Sequence, residues 1–497
     1  MSDGTRRLVA NITAMLFVGV AQRTIGLVLI TILSRAMDPK GLGAFTFVQS
    51  TSNTFAGISR LGADAGVHVV VASLKLPEER ARAEAVLGEA LTLFLLLSGG
   101  VACIMILLAE KIAAGLFAAP DLAPYVVVAA ILLCGQVMTQ FCFTIYAGVQ
   151  AFFRYSQIMT LTALGSSALV TIGVLVAGPM GAALAFTTGQ IVTLVSLLFG
   201  LRSEVSLRDV VVRPRWPSKE VRSLLAIGFP FYLSGLLIIP IDFICLSLLS
   251  RAAGVAGMGE LRVTQALMSI AAIVPTALAG PVTSYLATRA STAGVEIVLT
   301  QLKVSWMLAL VIVVGLVAIW PEVVGIVFGD AYPAARNSGM LALAAFVPTM
   351  LVTVMTSALL AFKRSLALLL VGALQAAVLM GAAIALVPRL GLGGFLVAQA
   401  LGFTTAALAL GLILIAHYGR SFCRAWMGLL TVASVAVAIG LWLLMAHHNP
   451  PLARAACAVF ALPALLAFFA WTLTRDERTR LRKLAKKFMR ALSFFPQ

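Results

Sequence analysis

The sequence predicts an all-α polytopic membrane protein with about 14 transmembrane helices: two six-helix lobes related by a parallel repeat, plus a C-terminal helix pair. The first supporting observation is the composition, since 61% of the 497 residues are hydrophobic and only 11% are charged. So few charged side chains could not cover the surface of a soluble protein of this length. The other two observations are the apolar stretches and an internal repeat.

Long apolar stretches recur along the whole chain. They are rich in Leu and Ala, reach the roughly 20 residues that a helix needs to cross a bilayer, and lack the alternation of barrel strands. We therefore predict spans 1 to 14 at 9–35, 42–73, 85–109, 122–150, 155–177, 180–201, 223–249, 258–287, 301–325, 338–361, 365–387, 391–416, 425–446 and 453–473.

Basic residues fall mainly on one side of these spans. With the N-terminus in the cytoplasm, 26 of the 36 Lys and Arg residues lie on the cytoplasmic side and 8 on the opposite side, while Arg23 and Arg60 lie within spans. This distribution follows the positive-inside rule and places both termini in the cytoplasm. It also explains most of the net charge of +17, so nucleic acid is not expected as a partner.

Breaks in the apolar pattern divide the chain into five parts. We expect an N-lobe at 1–201, a basic cytoplasmic linker at 202–222, a C-lobe at 223–416 and a helix pair at 417–474. The final part, 475–497, has apolar residues at helical spacing with Arg and Lys between them. It suits an amphipathic helix on anionic membrane lipids, although a solvated basic tail fits the pattern equally well.

A repeated segment relates the two lobes. LSRAMDPKGLGAFTFVQ (33–49) aligns without gaps on LSRAAGVAGMGELRVTQ (249–265), with seven identities. Both stretches join an outgoing span to its returning neighbour, and an offset of six spans keeps the two units in the same orientation. Such parallel repeats imply a pseudo-twofold axis along the membrane normal. Spans 1, 2, 7 and 8 are then expected to line a central cleft.

The charged residues that could carry chemistry fall on these four spans. Arg23 lies near the middle of span 1, where a charge costs at least about 2.5–3.5 kcal/mol and normally faces a bundle interior or a water-filled cavity. Arg60 and Asp64 lie on span 2, Asp242 on span 7 and Arg262 at the start of span 8. Arginine stays charged when desolvated and holds phosphates through its planar fork. A cleft with these arginines would suit an anionic headgroup such as a pyrophosphate.

The same residues could instead have structural roles, and the sequence leaves this alternative open. Arg60 and Asp64 are four residues apart and can pair on one helix face. Arg262 can extend along the helix to the membrane edge, and Asp242 can pair with a neighbouring cation.

Polar amides form a second set of candidates. Gln136 and Gln140 recur at helical spacing on span 4 and could hold sugars, although amides inside membranes more commonly join helices. We find no phosphate-binding loop, nucleophile elbow or metal-ligand motif, so neither enzymatic activity nor a cofactor or metal is expected.

The opening RTIGLVLITILSRAMDPKGLGAFTFVQSTSNTFAGISRLGADAGV (23–67) resembles the polysaccharide transporter (Wzx-type flippase) branch of the multidrug/oligosaccharidyl-lipid/polysaccharide (MOP) exporter superfamily. GMGELRVTQALMSIAAIVPTALAGPVTSYLA (257–287) is similar to that family's helix 8. The resemblance implies alternating-access flipping of a polyprenyl-pyrophosphate-linked oligosaccharide, an O-antigen or exopolysaccharide repeat unit, to the periplasmic leaflet of a bacterial inner membrane. It implies a basic central cavity and, as further partners, a polysaccharide polymerase and co-polymerase.

Three alternatives stay open. The related lipid II flippases carry cavity arginines on helices 1, 2 and 8, and Arg23, Arg60 and Arg262 are placed comparably. The drug-exporting branch couples to ions and usually carries acidic cation sites. A membrane scaffold for glycan assembly, without transport, would have a dry and closed interface between its lobes.

Overall fold

The computed structural model describes residues 3–60, 71, 80–149, 151–202, 219–272, 293–361 and 365–418. These residues are almost entirely helical and contain no strand, which confirms the all-α prediction. Asp64, most of the linker, predicted spans 13 and 14 and the basic tail lie outside the described residues. The total of 14 helices therefore stays a prediction.

Eleven α-helices follow one another in the described residues. They are α1 (Asp3–Ala36), α2 (Pro39–Ser59), α3 (Arg80–Leu107), α4 (Ala123–Gly148), α5 (Phe152–Leu201), α6 (Lys219–Ala271), α7 (Ala293–Phe328), α8 (Pro333–Ser338), α9 (Ala342–Ala361), α10 (Ser365–Leu390) and α11 (Leu392–Tyr418). A π-helical turn, Lys111–Leu116, follows α3.

Two of these helices each contain two predicted spans. The dihedral angles of α5 leave the helical range at Ala177 and Gly178, and those of α6 do so at Gly254. Both glycines have positive φ, +60° and +70°, a conformation that glycine adopts without steric cost. Each helix therefore has two legs, 152–176 and 179–201 in α5, and 219–253 and 255–271 in α6. With the legs counted separately, the described long helices match predicted spans 1 to 12.

Most of these helices are suited to a membrane. Nine stretches in the described part of the chain are long and apolar enough to cross a bilayer, two of them being the helical pairs of α5 and α6. Their outer faces carry exposed large apolar side chains, such as Leu107 and Val176. In lipid, such a surface is stable, and the protein is therefore a multi-pass membrane protein.

Aromatic side chains connect the N-lobe helices to α6. Phe47 of α2 packs edge-on against Phe117, with ring centroids 4.8 Å apart. Phe117 in turn lies 5.1 Å from Phe243 of α6, which also packs 5.6 Å from Phe55 of α2. Edge-to-face pairs of this kind contribute roughly 0.5–1.5 kcal/mol each beyond their buried area. This cluster helps to fix α2 against α6 and thereby positions the site between the lobes.

Candidate functional site

The two copies of the repeated segment contact each other. Gly43 in α2 lies against the backbone carbonyl of Val255, and Gly259 in α6 lies against the backbone carbonyl of Pro39. Gly43 aligns with Gly259 and Pro39 aligns with Val255, both at the same offset of 216 residues. A Cβ on either glycine would overlap the opposing carbonyl. The repeat therefore corresponds to a pseudo-symmetric backbone contact between α2 and α6.

Two arginines of the repeat make reciprocal contacts across this interface. Arg35 of α1 donates to two consecutive carbonyls in the last turn of α7, with Nε 3.2 Å from the oxygen of Val327. Arg251 of α6 donates in the same way to the π-helical turn after α3, with Nε 2.7 Å from the oxygen of Leu116. Carbonyls at helix ends lack intrahelical partners and carry partial negative charge. Each arginine therefore caps a helix end in the other half of the molecule.

Glu260 has a structural role in α6. Its side chain is buried, and its two carboxylate oxygens accept hydrogen bonds from the backbone N–H groups of Ala335 at 2.7 Å and Ala334 at 3.2 Å. These groups belong to the first turn of α8, where N–H groups lack intrahelical partners. Glu260 thus caps α8 and is occupied by that contact.

Arg23 crosses from the N-lobe to the C-lobe. This partly buried side chain of α1 donates a hydrogen bond from Nη1 to the backbone carbonyl of Ser269 in α6, at 2.9 Å. The prediction that Arg23 faces the interior of the bundle agrees with this contact. Its repeat equivalent, Ile239, instead packs against Gly57 of α2, where a Cβ would lie 2.9 Å from the isoleucine Cδ1. One lobe therefore places a cation where the other places an apolar side chain.

Arg262 lies on the same face of α6 as the carbonyl that Arg23 contacts. Arg262 and Ser269 are seven residues apart, which is about two helical turns or roughly 10 Å along the axis. The Nε atom of Arg262 is buried and has no hydrogen-bond partner among the described residues. Gln265, one turn away, is exposed. The second leg of α6 thus presents a basic and polar face beside α1.

The structure also places Arg262 further along its helix than the sequence predicts. Arg262 was expected at the start of span 8, but the second leg begins directly after Gly254, so Arg262 lies about two turns inside it. The positive φ of Gly254 starts the helix earlier than the hydrophobic pattern does.

Asp242 has an accessible side chain on the first leg of α6. It lies three residues after Ile239, which packs on α2, and directly before Phe243, which is buried. Asp242 forms no ion pair with any described residue, so the expected neighbouring cation is not found in that part of the chain.

Arg60 lies at the C-terminal end of α2. Its Nε donates to the carbonyl of Ala56 at 3.2 Å, one turn back on the same helix. Its proposed partner Asp64 lies outside the described residues, so the local ion pair is not tested.

The side-chain amide of Gln136 connects α4 to a neighbouring helix. Gln136 accepts a hydrogen bond from the Ser52 hydroxyl of α2 at 2.6 Å. On the next turn, Gln190 of α5 donates to Thr139 at 2.8 Å. The backbone carbonyl of Gln140 accepts from Thr144 at 3.0 Å. For Gln136 these contacts favour helix joining over sugar binding.

Two polar groups on α6 and α2 were not predicted as candidates from the sequence. The carbonyl of Ser269 could not be found, because a main-chain acceptor leaves no signal in residue type. Asn53, which is exposed on α2, stands in the polar run 49–54, and that run within an apolar chain was a usable signal.

Comparison with known proteins agrees with this architecture. Residues 8–282, more than half of the chain, match the family described as "Polysaccharide biosynthesis protein". No curated protein sequence gives a significant match.

Solved structures of MOP superfamily transporters share the fold. The lipid II flippase MurJ in an inward closed conformation aligns with a TM-score of 0.67 and 12% identity, covering 93% of this chain and 98% of that one. An inward-facing multidrug resistance MATE family transporter aligns with a TM-score of 0.64 and 18% identity, covering 85% of this chain and 99% of that one. A MOP superfamily transporter from Pyrococcus furiosus aligns with a TM-score of 0.59 and 18% identity, covering 86% of this chain and 98% of that one.

Proposed function

Because the chain belongs to the polysaccharide biosynthesis protein family of MOP superfamily transporters, we propose that it is a flippase for a polyprenyl-pyrophosphate-linked oligosaccharide. The cargo would be an O-antigen or exopolysaccharide repeat unit, moved from the cytoplasmic to the periplasmic leaflet of a bacterial inner membrane. The similar proteins are transporters rather than enzymes. Transport of this cargo would require the protein to bind it and to change which side of the membrane its cavity opens to.

One observation carries this proposal: a cation of α1 crosses to α6 beside a second cation. Arg23 bonds to the carbonyl of Ser269 at 2.9 Å, and Arg262, two turns away on α6, has a buried Nε without a partner among the described residues. A buried N–H donor without an acceptor is costly, typically about 1–3 kcal/mol, and a ligand oxygen would remove that cost. Pyrophosphate supplies several such oxygens with negative charge.

Exposed polar side chains of α6 and α2 would contact the sugars. Gln265 and Asn53 are exposed on α6 and α2 and can both donate and accept hydrogen bonds. Arg60, Asp64 and Gln140 remain proposed members of the cavity. The lipid tail would stay in the bilayer, since its transfer to a polar cavity would expose apolar surface.

Alternating access would use the two lobes as rocking units. We take them to be residues 1–201 and 223–416, joined by the linker 202–222. The contact of Gly43 and Gly259 would close the periplasmic end while the cytoplasmic end admits substrate. A polysaccharide polymerase and co-polymerase would receive the cargo on the periplasmic side.

Complementation of a deletion strain tests this function. Arg23→Ala is expected to abolish surface polysaccharide, while Arg389→Ala, which removes an exposed arginine of α10, is expected to retain it. Both variants must reach the membrane in wild-type amounts, as measured by immunoblotting of the membrane fraction. Wild-type polysaccharide with Arg23→Ala would refute the proposal.

Asp242 favours a second candidate, an ion-coupled drug exporter. An accessible carboxylate without an ion pair among the described residues can bind a proton or metal cation. Drug sensitivity of the deletion strain with normal glycans would support this candidate, and Asp242→Asn should then reproduce the sensitivity. Loss of cell-wall precursor export would instead favour a lipid II flippase, the activity named for MurJ.

A further inference from the structure

A groove on the outer side of the N-lobe lies apart from the interlobe site. It opens between the two legs of α5 and has a volume of about 940 Å³. The legs meet closely near their turn, where Gly181 lies against the carbonyl of Gly173. At the other end, the side chain of Ile158 lies 2.7 Å from where a Cβ on Gly200 would lie. The groove therefore lies between the ends of the two legs that are farther from their turn.

The walls of the groove are apolar and exposed. Phe153, Leu161, Val195 and Phe199 line it, and 59–69% of their side-chain surface is accessible. In a membrane-spanning helix pair, such a surface faces lipid, so hydrocarbon chains are its natural occupants. A volume of this size lies within the roughly 300–1,000 Å³ of typical ligand sites.

Cations stand at one end of the same groove. Arg154 lines it, and the guanidinium of Arg202 stacks over the Phe199 ring at 4.8 Å from the centroid. No acidic residue is among the described residues that line the groove. This end carries the basic residues that the positive-inside rule assigns to the cytoplasm, where anionic lipids are concentrated.

An unsatisfied hydroxyl lies within the lining. The Oγ1 atom of Thr160 is buried and has no hydrogen-bond partner among the described residues. Its neighbour Thr162 satisfies its hydroxyl in the usual way, by donating to the carbonyl of Ile158 at 2.8 Å. A buried hydroxyl without a partner is costly, and an ester or glycerol oxygen in the groove would satisfy it.

We propose that this groove is a binding site for an anionic glycerophospholipid of the cytoplasmic leaflet. The phosphate would contact Arg154 and Arg202, the ester region would contact Thr160, and the acyl chains would lie along the apolar walls. The site is independent of the proposed transport activity, since it lies on the outer face of α5.

Native mass spectrometry of the full chain in a neutral detergent tests this site with phosphatidylglycerol as the probe. Phosphatidylcholine with the same acyl chains serves as the uncharged comparison. The variant Arg154→Gln/Arg202→Gln should weaken phosphatidylglycerol binding at least about tenfold, since each cation near an anionic headgroup contributes roughly fivefold. Thr160→Val should weaken it by a smaller factor, and the control Arg389→Gln should leave it unchanged.

Two results would overturn the proposal. One is equal binding of phosphatidylglycerol to the wild type and to the double arginine variant, with both proteins monodisperse. The other is displacement of phosphatidylglycerol by undecaprenyl phosphate with the same dependence on Arg154 and Arg202, which would assign the groove to the transported lipid. Loss of phosphatidylglycerol binding in the double arginine variant, with normal polysaccharide export, would support the proposal.

Discussion

Gly43 and Gly259 are equivalent residues of the internal repeat, and each lies against a backbone carbonyl that follows the connection in the opposite lobe. The two lobes approach to backbone distance here because neither residue has a Cβ. In the proposed alternating-access mechanism, the lobes would separate or rock about this contact.

Replacing either glycine should weaken the contact between the lobes. Gly43→Ala and Gly259→Ala each place a methyl group on the opposing carbonyl, and overpacking of this kind costs typically about 1–3 kcal/mol. We expect both variants to lower the thermal unfolding temperature of the detergent-solubilised protein by similar amounts. Gly381→Ala is the control, since no atom lies within 4 Å of its added Cβ. A neutral effect at one glycine and a large effect at the other would contradict the pseudo-symmetry.

The reciprocal arginine caps should also behave as a pair. Arg35→Lys and Arg251→Lys keep the charge but lose the two-pronged contact with consecutive carbonyls. We expect each to reduce thermal stability by a similar amount and the double variant to show an additive loss, because the two caps lie at separate helix ends. Stability equal to that of the wild type in the double variant would show that these contacts contribute nothing.

Glu260→Gln should destabilise the protein rather than alter its substrate. The amide offers one acceptor oxygen where the carboxylate offers two to the N–H groups of Ala334 and Ala335. Leaving a buried N–H unpaired costs roughly 1–3 kcal/mol. Glu110→Gln, at an exposed residue that caps no helix through its side chain, provides the matched control for the thermal unfolding measurement. Equal unfolding temperatures for the two variants would disprove the capping role.

The bond between Ser52 and Gln136 should couple the stabilities of α2 and α4. A double-mutant cycle with Ser52→Ala and Gln136→Leu is expected to give a coupling energy of roughly 0.6 kcal/mol, the average for hydrogen bonds between membrane helices. Export normalised to folded protein should stay near the wild-type level. If Gln136→Leu abolishes export in fully folded protein, Gln136 binds substrate after all.

The sequence predicted the architecture where it depends on pattern. The seven identities of the repeat include Gly43 with Gly259 and Arg35 with Arg251, and both pairs lie at the contact between the lobes. Close approach of two backbones requires glycine, and capping of helix carbonyls favours arginine. The residue types at these positions can therefore be recognised from the sequence.

The partners of the charged residues were harder to predict. Arg23 bonds to a main-chain carbonyl, and Glu260 bonds to main-chain N–H groups, neither of which is encoded by a complementary side chain. From the sequence, Gln136 fits helix joining, the commoner role, and also sugar binding; the location of Ser52 in space favours helix joining. The repeat is asymmetric at Arg23, whose equivalent in the second lobe is Ile239. This asymmetry favours a specific role for Arg23, but it does not identify the ligand.

We propose that Arg23 and Arg262 bind the pyrophosphate of the transported lipid. The most direct test is the affinity of the purified protein for undecaprenyl pyrophosphate, measured by microscale thermophoresis in detergent. We expect Arg23→Ala and Arg262→Ala each to lower this affinity by roughly 10- to 100-fold, the effect of losing a charge-assisted hydrogen bond, while Arg389→Ala binds like the wild type. Wild-type affinity in both cleft variants, with folding intact, would contradict the account.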